Sequence, residues 1–581
     1  MHWRVRPHDR EVVHRICELT GVSPVIAQVL AVRDVTHPRE IQSFLDTKLT
    51  HLLPPRDLPG VPLAVDVLYQ AISARKRICI YGDYDCDGIT ATAILYLTLR
   101  ALKADVSYFV PDRLDDGYGL NAQQVKALKD KGTDLMVTVD CGIGSTHEAE
   151  LARQLGMQLI ITDHHQLPAV LPTADAIVHP RLPDYSYPFP HLCGAGVAFK
   201  LAWALCQHAT GSEKLPEPLR KLLFQLIVFA AIGTVADVVP LLGENRILVH
   251  HGLKLFKSFG GVGLEALSRE ARLGPKETYA AEDFAFTLAP RLNAAGRLGS
   301  ARLAVELLEC DDPHRCEMLA QYIHNLNKSR DSLERTITRQ AKEQIAELYD
   351  LNDEPGLVLT APGWHPGVIG IVAGRLAEEF QVPVVIISQD VKAGHPYVGS
   401  GRSARGIDLH GALTKASSWL VGYGGHPAAA GLKILPEQVD SFREAFCQAV
   451  RELEPDDQRR RELRIDVEAP LWLLDVSTIR QLEQLAPFGH ENPRPVLCTL
   501  GASIVGEPKT MGSDGRHLAV EIQQDNTKLR AVAFGKAEWS QSLAAGSEHK
   551  YDFAFKPVIN DFRGQQRVEL HLIDFRPQQP I

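Results

Sequence analysis

No Cys-x-x-Cys pair and no short cysteine spacing occur among the ten cysteines of this 581-residue chain. That excludes a disulfide framework and points to thiols buried as small apolar groups in a reducing cytoplasm. Nor is there an apolar run long enough to cross a bilayer. The most apolar stretch, Leu222 to Gly233, is bounded by Lys221 and Asp237 and falls short of the roughly 20 residues required. The opening Met1-His2-Trp3-Arg4-Val5-Arg6 is charged early and lacks the apolar run of an export signal. A basic excess is missing too. The formal net charge of -9 excludes coating of nucleic acid by bulk charge, whereas a local basic channel depends only on the contacting face. No internal repeat of fixed period is found. What is there is 45% hydrophobic and 23% charged residues, the balance of a soluble globular protein, long enough for three or four domains.

The order of patterns gives the organisation. A helical lead, residues 1–60, is broken by Pro54-Pro55 and Pro59-Gly60 and is expected to pack on the region C-terminal to it. From residue 61 to 310 an α/β region is expected. Short apolar runs (Ile78 to Tyr81, Leu135 to Val139, Leu159 to Thr162, Ala176 to Val178) alternate with helical text as far as Pro180, which predicts a parallel sheet covered on both faces. Asp312-Pro313 then reads as an N-cap followed by proline. The Gly- and Pro-free run from His314 to Asn352 predicts a connecting helix within 311–352, about 50–60 Å long, that bridges two domains. A second, smaller α/β domain is expected over 353–455, with the strand Val384 to Ser388 and two glycine-rich loops. The charged run Glu452 to Arg464 reads as a solvated linker. Short alternating segments at Arg530 to Phe534, Tyr551 to Phe555 and Val568 to Leu572 predict a small C-terminal β-barrel over 465–581.

The most informative segment is Tyr81-Gly82-Asp83-Tyr84-Asp85-Cys86-Asp87-Gly88, with three aspartates at alternate positions between a strand and a helix. Such a turn could simply cap the helix, but the pattern arises by chance in a chain of this length with odds of only about 1%. Crowded carboxylates repel one another unless a cation sits among them. Two further strands end the same way, at Asp140-Cys141-Gly142 and at Asp163-His164-His165, and Asp237 lies just beyond the apolar stretch. In an open parallel sheet the functional crevice lies at the carboxyl ends of the strands, so these groups are expected to converge. Carboxylates with imidazole and no thiolate favour Mn²⁺ or Mg²⁺ over structural zinc. There are ligands enough for two such ions, about 3.5–4 Å apart, the arrangement that clamps a phosphoryl displacement. The expected chemistry is phosphoester hydrolysis.

These motifs resemble the DHH phosphoesterase superfamily. Their whole order, with Pro290-Arg291-Leu292-Asn293-Ala294-Ala295-Gly296-Arg297, Gly363-Trp364-His365-Pro366-Gly367, Ser400-Gly401-Arg402-Ser403 and Gly424-Gly425-His426-Pro427, is similar to that of its single-strand-specific DNA exonucleases. The resemblance spans roughly residue 60 to the C-terminus. It implies that Asp83 and Asp85 serve a first metal, that Asp140 bridges the pair, and that Asp87, His164 and Asp237 hold a second. The split of Asp83, Asp85 and Asp87 between the ions stays open. His165 would contact the scissile phosphate, with Asp140, Asp163 and His165 forming the catalytic group. Arg291, Asn293, Arg297, Ser400, Arg402, Ser403, Gly424, Gly425 and His426 would bind DNA, through guanidinium forks and unobstructed backbone N–H groups. A helix cap is an equal reading for Arg297. The second domain resembles the DHHA1 type and the barrel an OB-fold.

In that barrel Phe488, Phe534 and Phe562 could stack on bases, while Phe553 and Phe555 read as core. From Ile465 to Ile581 there are 12 Lys plus Arg against 15 Asp plus Glu, so bulk charge gives no support. Lys528, Arg530, Lys556, Arg563 and Arg567 could still form a local stripe. By resemblance the chain is a cytoplasmic monomer that removes nucleotides 5′ to 3′ from single-stranded DNA in recombination and repair. Single-stranded-DNA-binding protein and a repair helicase are its implied partners, and no membrane is. Two rivals stand beside this reading. One is a phosphodiesterase for short oligonucleotides or cyclic dinucleotides, which needs neither barrel nor lead. The other is a non-catalytic single-strand-binding scaffold, which predicts eroded ligands where all are present.

Overall fold

Five short segments, rich in β-branched or aromatic residues, form an all-parallel sheet in the order Asp105–Phe109, Arg77–Tyr81, Leu135–Val139, Gln158–Thr162 and Ala176–Val178. The computed structural model describes residues 2–578 except 114–116, 118, 184, 351–353, 390–393, 405, 454–461, 513, 545–549 and 563. The chain leaves Arg77–Tyr81 toward one edge of the sheet and returns on the other side at Leu135–Val139. The switch point therefore falls between the strands that deliver Asp83 and Asp140. Leu135–Val139 is buried throughout, as a strand covered on both faces must be. The helix Cys86–Ala101 is itself almost wholly buried, packed by the helices Gly194–Thr210 and Glu217–Ala236. Glu217–Ala236 has 20 residues and by length and composition alone could cross a membrane; 61% of its apolar window is buried inside the protein. The run is longer than the apolar stretch read from the sequence because Glu217 to Lys221 and Thr234 to Ala236 continue the helix.

The connecting helix is Pro313–Leu348, opened by the Asp312 carboxylate, which accepts from the His314 N–H at 3.1 Å. Its 36 residues span about 54 Å at 1.5 Å per residue. The N-terminal half buries Cys316, Leu319, Ala320 and Ile323 and packs on the helices Gly261–Glu270 and Ala289–Leu298. The C-terminal half puts Ile337, Ala341 and Ile345 into the core of the second α/β domain, so one rigid element belongs to both cores. Asn352 lies outside the described residues. The second domain has the sheet order Gly422–His426, Ala429–Ile434, Tyr397–Arg402, Val384–Ser388 and Leu357–Ala361, with only the last two strands parallel. Its two glycine-rich segments are strands and not loops. In the first, glycine suits a close side chain, since a Cβ on Gly399 would meet Leu432 at 2.7 Å; in the second, a Cβ on Gly425 would meet the Ala429 carbonyl at 2.4 Å.

The chain divides into two compact units, Pro54–Val239 with His251–Arg459, and Met1–Leu53 with Pro240–His250 and Arg460–Ile581. In the second unit the strands Leu497–Met511, His517–Gln524, Thr527–Ala533, Gln565–Pro577 and Tyr551–Phe562 close into a barrel through pairing of the last with the first. Phe553 and Phe555 are buried in it, as is Phe488, which is therefore unavailable to bases; Phe534 is exposed. The Phe562 side chain and Arg563 lie outside the described residues. The lead was expected to pack on the α/β region after it, but Ile16, Val25, Ile26 and Leu30 share the core of the barrel. The strand His2–Val5 pairs in parallel with Glu462–Ile465, so the end of the charged run, expected to be solvated linker, is a strand.

Arg246 ties this unit together. Its guanidinium donates to the carbonyls of Phe44, Gln484 and Leu485 at 3.0, 3.1 and 2.8 Å and lies 4.0 Å over the Phe44 ring. Replacing it by methionine keeps the apolar stem and removes the donors. Charged hydrogen bonds are worth about 1.5–3 kcal/mol each, and non-additivity within one group trims the sum. Arg246→Met is expected to destabilise this unit by about 2–5 kcal/mol, read from the urea unfolding midpoint.

Candidate metal and phosphodiester centre

At the end of Arg77–Tyr81 the chain turns through Asp83, Tyr84 and Asp85 into the helix Cys86–Ala101. The Asp85 carboxylate is the N-cap, accepting from the N–H groups of Asp87 and Gly88 at 2.9 and 3.0 Å. The capping role considered for such a turn is therefore real, and it leaves Asp83 and Asp87 directed elsewhere. Asp87 accepts from the Gly194 and Ala195 N–H groups at 2.6 and 2.9 Å, at the start of the helix Gly194–Thr210. These are donors at the positive end of a helix dipole, suited to an anion. Asp140 succeeds Leu135–Val139 in a left-handed conformation, φ 61°. A Cβ on Gly194 would stand 2.5 Å from its Oδ1, and one on Gly233 would stand 2.5 Å from Asp87 Oδ1. Glycine at these two positions is what allows the helices to close on the carboxylates.

The side chains meet in three overlapping groups: Asp83, Asp85 and Asp140; Asp87, His164 and Asp237; and Asp140, His164 and His165. Within each, the ligand atoms lie within 4.8 Å of one another. His164 Nε2 is 3.1 Å from Asp140 Oδ1, 3.6 Å from Asp237 Oδ2 and 3.9 Å from Asp87 Oδ2. Burial first, and then mutual repulsion, raise the carboxyls of Asp83 and Asp140 well above the ordinary range, Asp87 to about 6 and Asp237 to about 9. Asp83 Oδ1, Asp140 Oδ1 and His164 Nε2 are buried without a hydrogen-bond partner. Unsatisfied buried acceptors of one sign, facing one another, are the chemistry of a cation site.

Asp163 has another task. Its oxygens accept from the N–H groups of Ile143, His164 and His165 at 3.0, 2.7 and 3.1 Å, and its Oδ1 lies 2.7 Å from His165 Nδ1. It holds the two histidines in place and belongs to none of the three ligand groups. Burial raises its carboxyl, but the hydrogen bond and charge of His165 outweigh that and bring it down to about 2. The same pairing overcomes burial at His165 and raises it to about 9. His164, buried and repelled by the neighbouring His165, is pushed down to about 3. It is held neutral, the form that offers a lone pair.

The expected DNA-binding residues separate. Arg297 is half-buried and donates to the Gly367 carbonyl at 3.0 Å; desolvation and the nearby Arg113 push it down to about 10. Arg402 donates to Ser400 Oγ at 3.0 Å and to the Gly401 carbonyl at 2.7 Å, and it too is lowered by burial and by Arg113. Three guanidiniums thus share one neighbourhood. Asn293 Oδ1 accepts from the Cys86 N–H at 2.8 Å, which fixes the acidic turn from outside. Arg291 bonds His324 Nδ1 and the Thr287 carbonyl at 3.2 and 2.5 Å. The Ser403 hydroxyl donates to the Ile407 carbonyl at 2.7 Å. Gly424, Gly425 and His426 form an exposed edge strand against Ala429–Gly431.

Sequence reading missed Arg113, whose guanidinium lies 4.9 Å from the Tyr84 ring centroid; nothing in its spacing marks it. It missed His179 and Arg181 as well. His179 Nε2 is 2.8 Å from the His165 carbonyl, and Arg181 donates to the His164 carbonyl, so together they back the histidine turn. The small-residue run Gly194-Ala195-Gly196 before a helical pattern was a usable signal for the Asp87 cradle.

Residues 77–231 match the DHH family N-terminal domain, 353–452 the DHHA1 domain and 465–574 the RecJ OB domain. Single-stranded-DNA-specific exonuclease RecJ of Escherichia coli (strain K12) is 33% identical over 99% of this chain and 100% of the relative. The chain belongs to the RecJ family. RecJ of Thermus thermophilus is 38% identical over 90% of this chain and 72% of the relative. The crystal structure of Thermus thermophilus RecJ in complex with Mn²⁺ superposes with a TM-score of 0.83 at 31% identity, covering 100% of this chain and 80% of that one. The complex of the same protein with Mg²⁺ gives 0.77.

If repulsion among these carboxylates is relieved only by cations, removing one charge should help the metal-free protein and harm the loaded one. Asp140→Asn is expected to melt at the same or a higher temperature than wild type in EDTA. It should also lose most of the metal-induced stabilisation, which for wild type at a hundredfold excess over Kd is about 2.7 kcal/mol. Differential scanning calorimetry with and without Mn²⁺ measures both.

Proposed function

We propose that the chain is a divalent-metal-dependent exonuclease that hydrolyses single-stranded DNA in the 5′ to 3′ direction, in recombination and repair. The observation that carries this reading is the set of buried, unpartnered atoms of Asp83, Asp140 and His164 at the switch point of the sheet, in a RecJ-family chain. Asp83, Asp85 and Asp140 would hold one Mn²⁺ or Mg²⁺, and Asp87, His164 and Asp237 the other, with Asp140 shared between them. A pair of ions so placed supplies a nucleophilic water at neutral pH and neutralises charge on the attacked phosphate and leaving oxygen.

The side chains do the rest. His165, kept charged by Asp163, presents a cation to the scissile phosphate. Arg113, Arg297 and Arg402, each repelled by its neighbours while unliganded, are stabilised by a phosphate among them. Contacts of this kind grip the backbone without reading bases, which suits digestion regardless of sequence. The barrel serves as a second hold on the strand, with exposed Lys528 and Arg530 on its surface. A cytoplasmic monomer working with single-stranded-DNA-binding protein and a repair helicase completes the reading.

Purified protein is given free, 5′-blocked and 3′-blocked single strands with Mn²⁺, Mg²⁺ or EDTA, beside the Asp140→Asn variant. Digestion should require metal, stop only at the 5′ block, and fall by roughly 10³-fold or more in the variant, the loss of several kcal/mol of charge stabilisation. Equal digestion of both blocked strands would refute the direction. Tight binding without cleavage would favour a scaffold, and preference for dinucleotides would favour a small-substrate phosphodiesterase.

A further inference from the structure

The segment Phe284–Leu288 is a turn of π-helix, in which the Ala289 N–H reaches back to the Phe284 carbonyl. Its cause is local. Pro290, in the first turn of the helix Ala289–Leu298, has no N–H to donate to the Phe286 carbonyl four residues back, and its ring would clash there. The widened turn presents Phe286 to solvent at 77% exposure, the highest among the described large apolar residues. Burying an aromatic ring is favourable and π-turns cluster at functional sites, so an exposed ring on such a turn calls for a ligand.

Cations gather around His324, which Arg291 of the helix Ala289–Leu298 contacts. Arg291 NH1 donates to the carbonyl of Thr287, the residue after Phe286, and its Nε reaches His324. His324 lies in the field of Arg291, Lys328 and Arg272, with Glu270 the opposing charge. Arg291 in turn faces Asp331 and Arg330, which bond each other. With Arg330 and Asp331 paired, the face carries Arg272, Arg291 and Lys328 against Glu270. An aromatic ring among cations is complementary to a flexible polyanion with flat apolar groups, and single-stranded nucleic acid is that polymer. The same helix runs seven residues on from Phe286 to Asn293, which bonds the acidic turn. At 1.5 Å per residue that is about 10 Å, beside the reacting nucleotide and not at it.

We propose that Phe286, with Arg272, Arg291 and Lys328, forms a stacking and phosphate-holding station for the single strand outside the metal centre. It rests on the proposed function for its substrate, and binding is measured apart from cleavage so that the two can fail separately. Fluorescein-labelled oligothymidylates of increasing length are titrated in EDTA with the full chain, with Phe286→Ala, with Phe286→Trp and with the Arg272→Ala/Lys328→Ala double variant. Circular dichroism melts check that each folds.

Phe286→Ala should weaken binding of long strands by about 5- to 150-fold, the range for one lost base stack, and affect the shortest strands far less. Phe286→Trp should restore affinity, and its added fluorescence should be quenched as the strand binds. The double variant should flatten the dependence of log affinity on log salt by about 0.7 for each phosphate contact removed. Wild-type affinity in Phe286→Ala at every length, or unquenched fluorescence in Phe286→Trp on binding, would overturn the station. Binding with the expected losses but no cleavage by wild type would leave the station standing and sink the exonuclease reading.

Discussion

Repulsion among buried carboxylates is the constraint around which the catalytic unit is arranged. Two like charges 4 Å apart interact by about 4 kcal/mol at an effective dielectric of 20, and here Asp87, Asp140 and Asp237 gather around His164 while Asp83 and Asp85 meet Asp140. Helix-end N–H groups at Gly194, Ala195 and Gly88 offset part of this. The remainder can be removed only by taking up protons or by cations, and the raised carboxyls of Asp87 and Asp237 show how strongly the metal-free site pulls toward protons. Much of the surrounding architecture serves to make this crowding possible. Gly194 and Gly233 leave out the Cβ atoms that would push the carboxylates apart, and Asp140 takes a left-handed backbone to face its partners.

The same logic, with the sign reversed, holds for the three arginines. Arg297 and Arg402 are desolvated and face Arg113, and the acidic turn offsets only part of this through Asp85 beside Arg297 and Asp83 beside Arg113. An acidic centre and a cationic rim together match a phosphodiester with bound cations, each half being costly until its counterpart arrives. The long helix makes this geometry dependable. Sharing hydrophobic core with both α/β domains, it fixes the domain that bears Arg402 relative to the one that bears Asp83.

Strand, helix and connector were legible because their signals are local. The runs before Asp83, Asp140 and Asp163 each give a strand, and Asp312-Pro313 opens the long helix where expected. The glycine-rich segments at 399–402 and 422–426 were misread because glycine signals a turn, whereas both are strands, with Gly399 and Gly401 admitting Leu432 and Leu409 and Gly425 lying against the backbone of Ala429 and Ala430. The lead was misassigned because amphipathic helices declare that they bury a face, not against what. Asn293, expected as a DNA contact, also braces the acidic turn, a role that rests on one hydrogen bond from Cys86.

The sequence by itself determined the chemistry on offer: which strand ends carry carboxylate or imidazole, and the order of motifs that marks the family. Those are properties of residue type and spacing along one strand–turn–helix unit. Only the tertiary structure decided which oxygens are left unpaired, that Asp163 serves His165 instead of joining the ligand groups, that Arg113 joins Arg297 and Arg402, and that the lead completes the barrel's core. Each of these depends on contacts between residues distant in the chain, where burial and Coulomb fields are set by neighbours that no local pattern names.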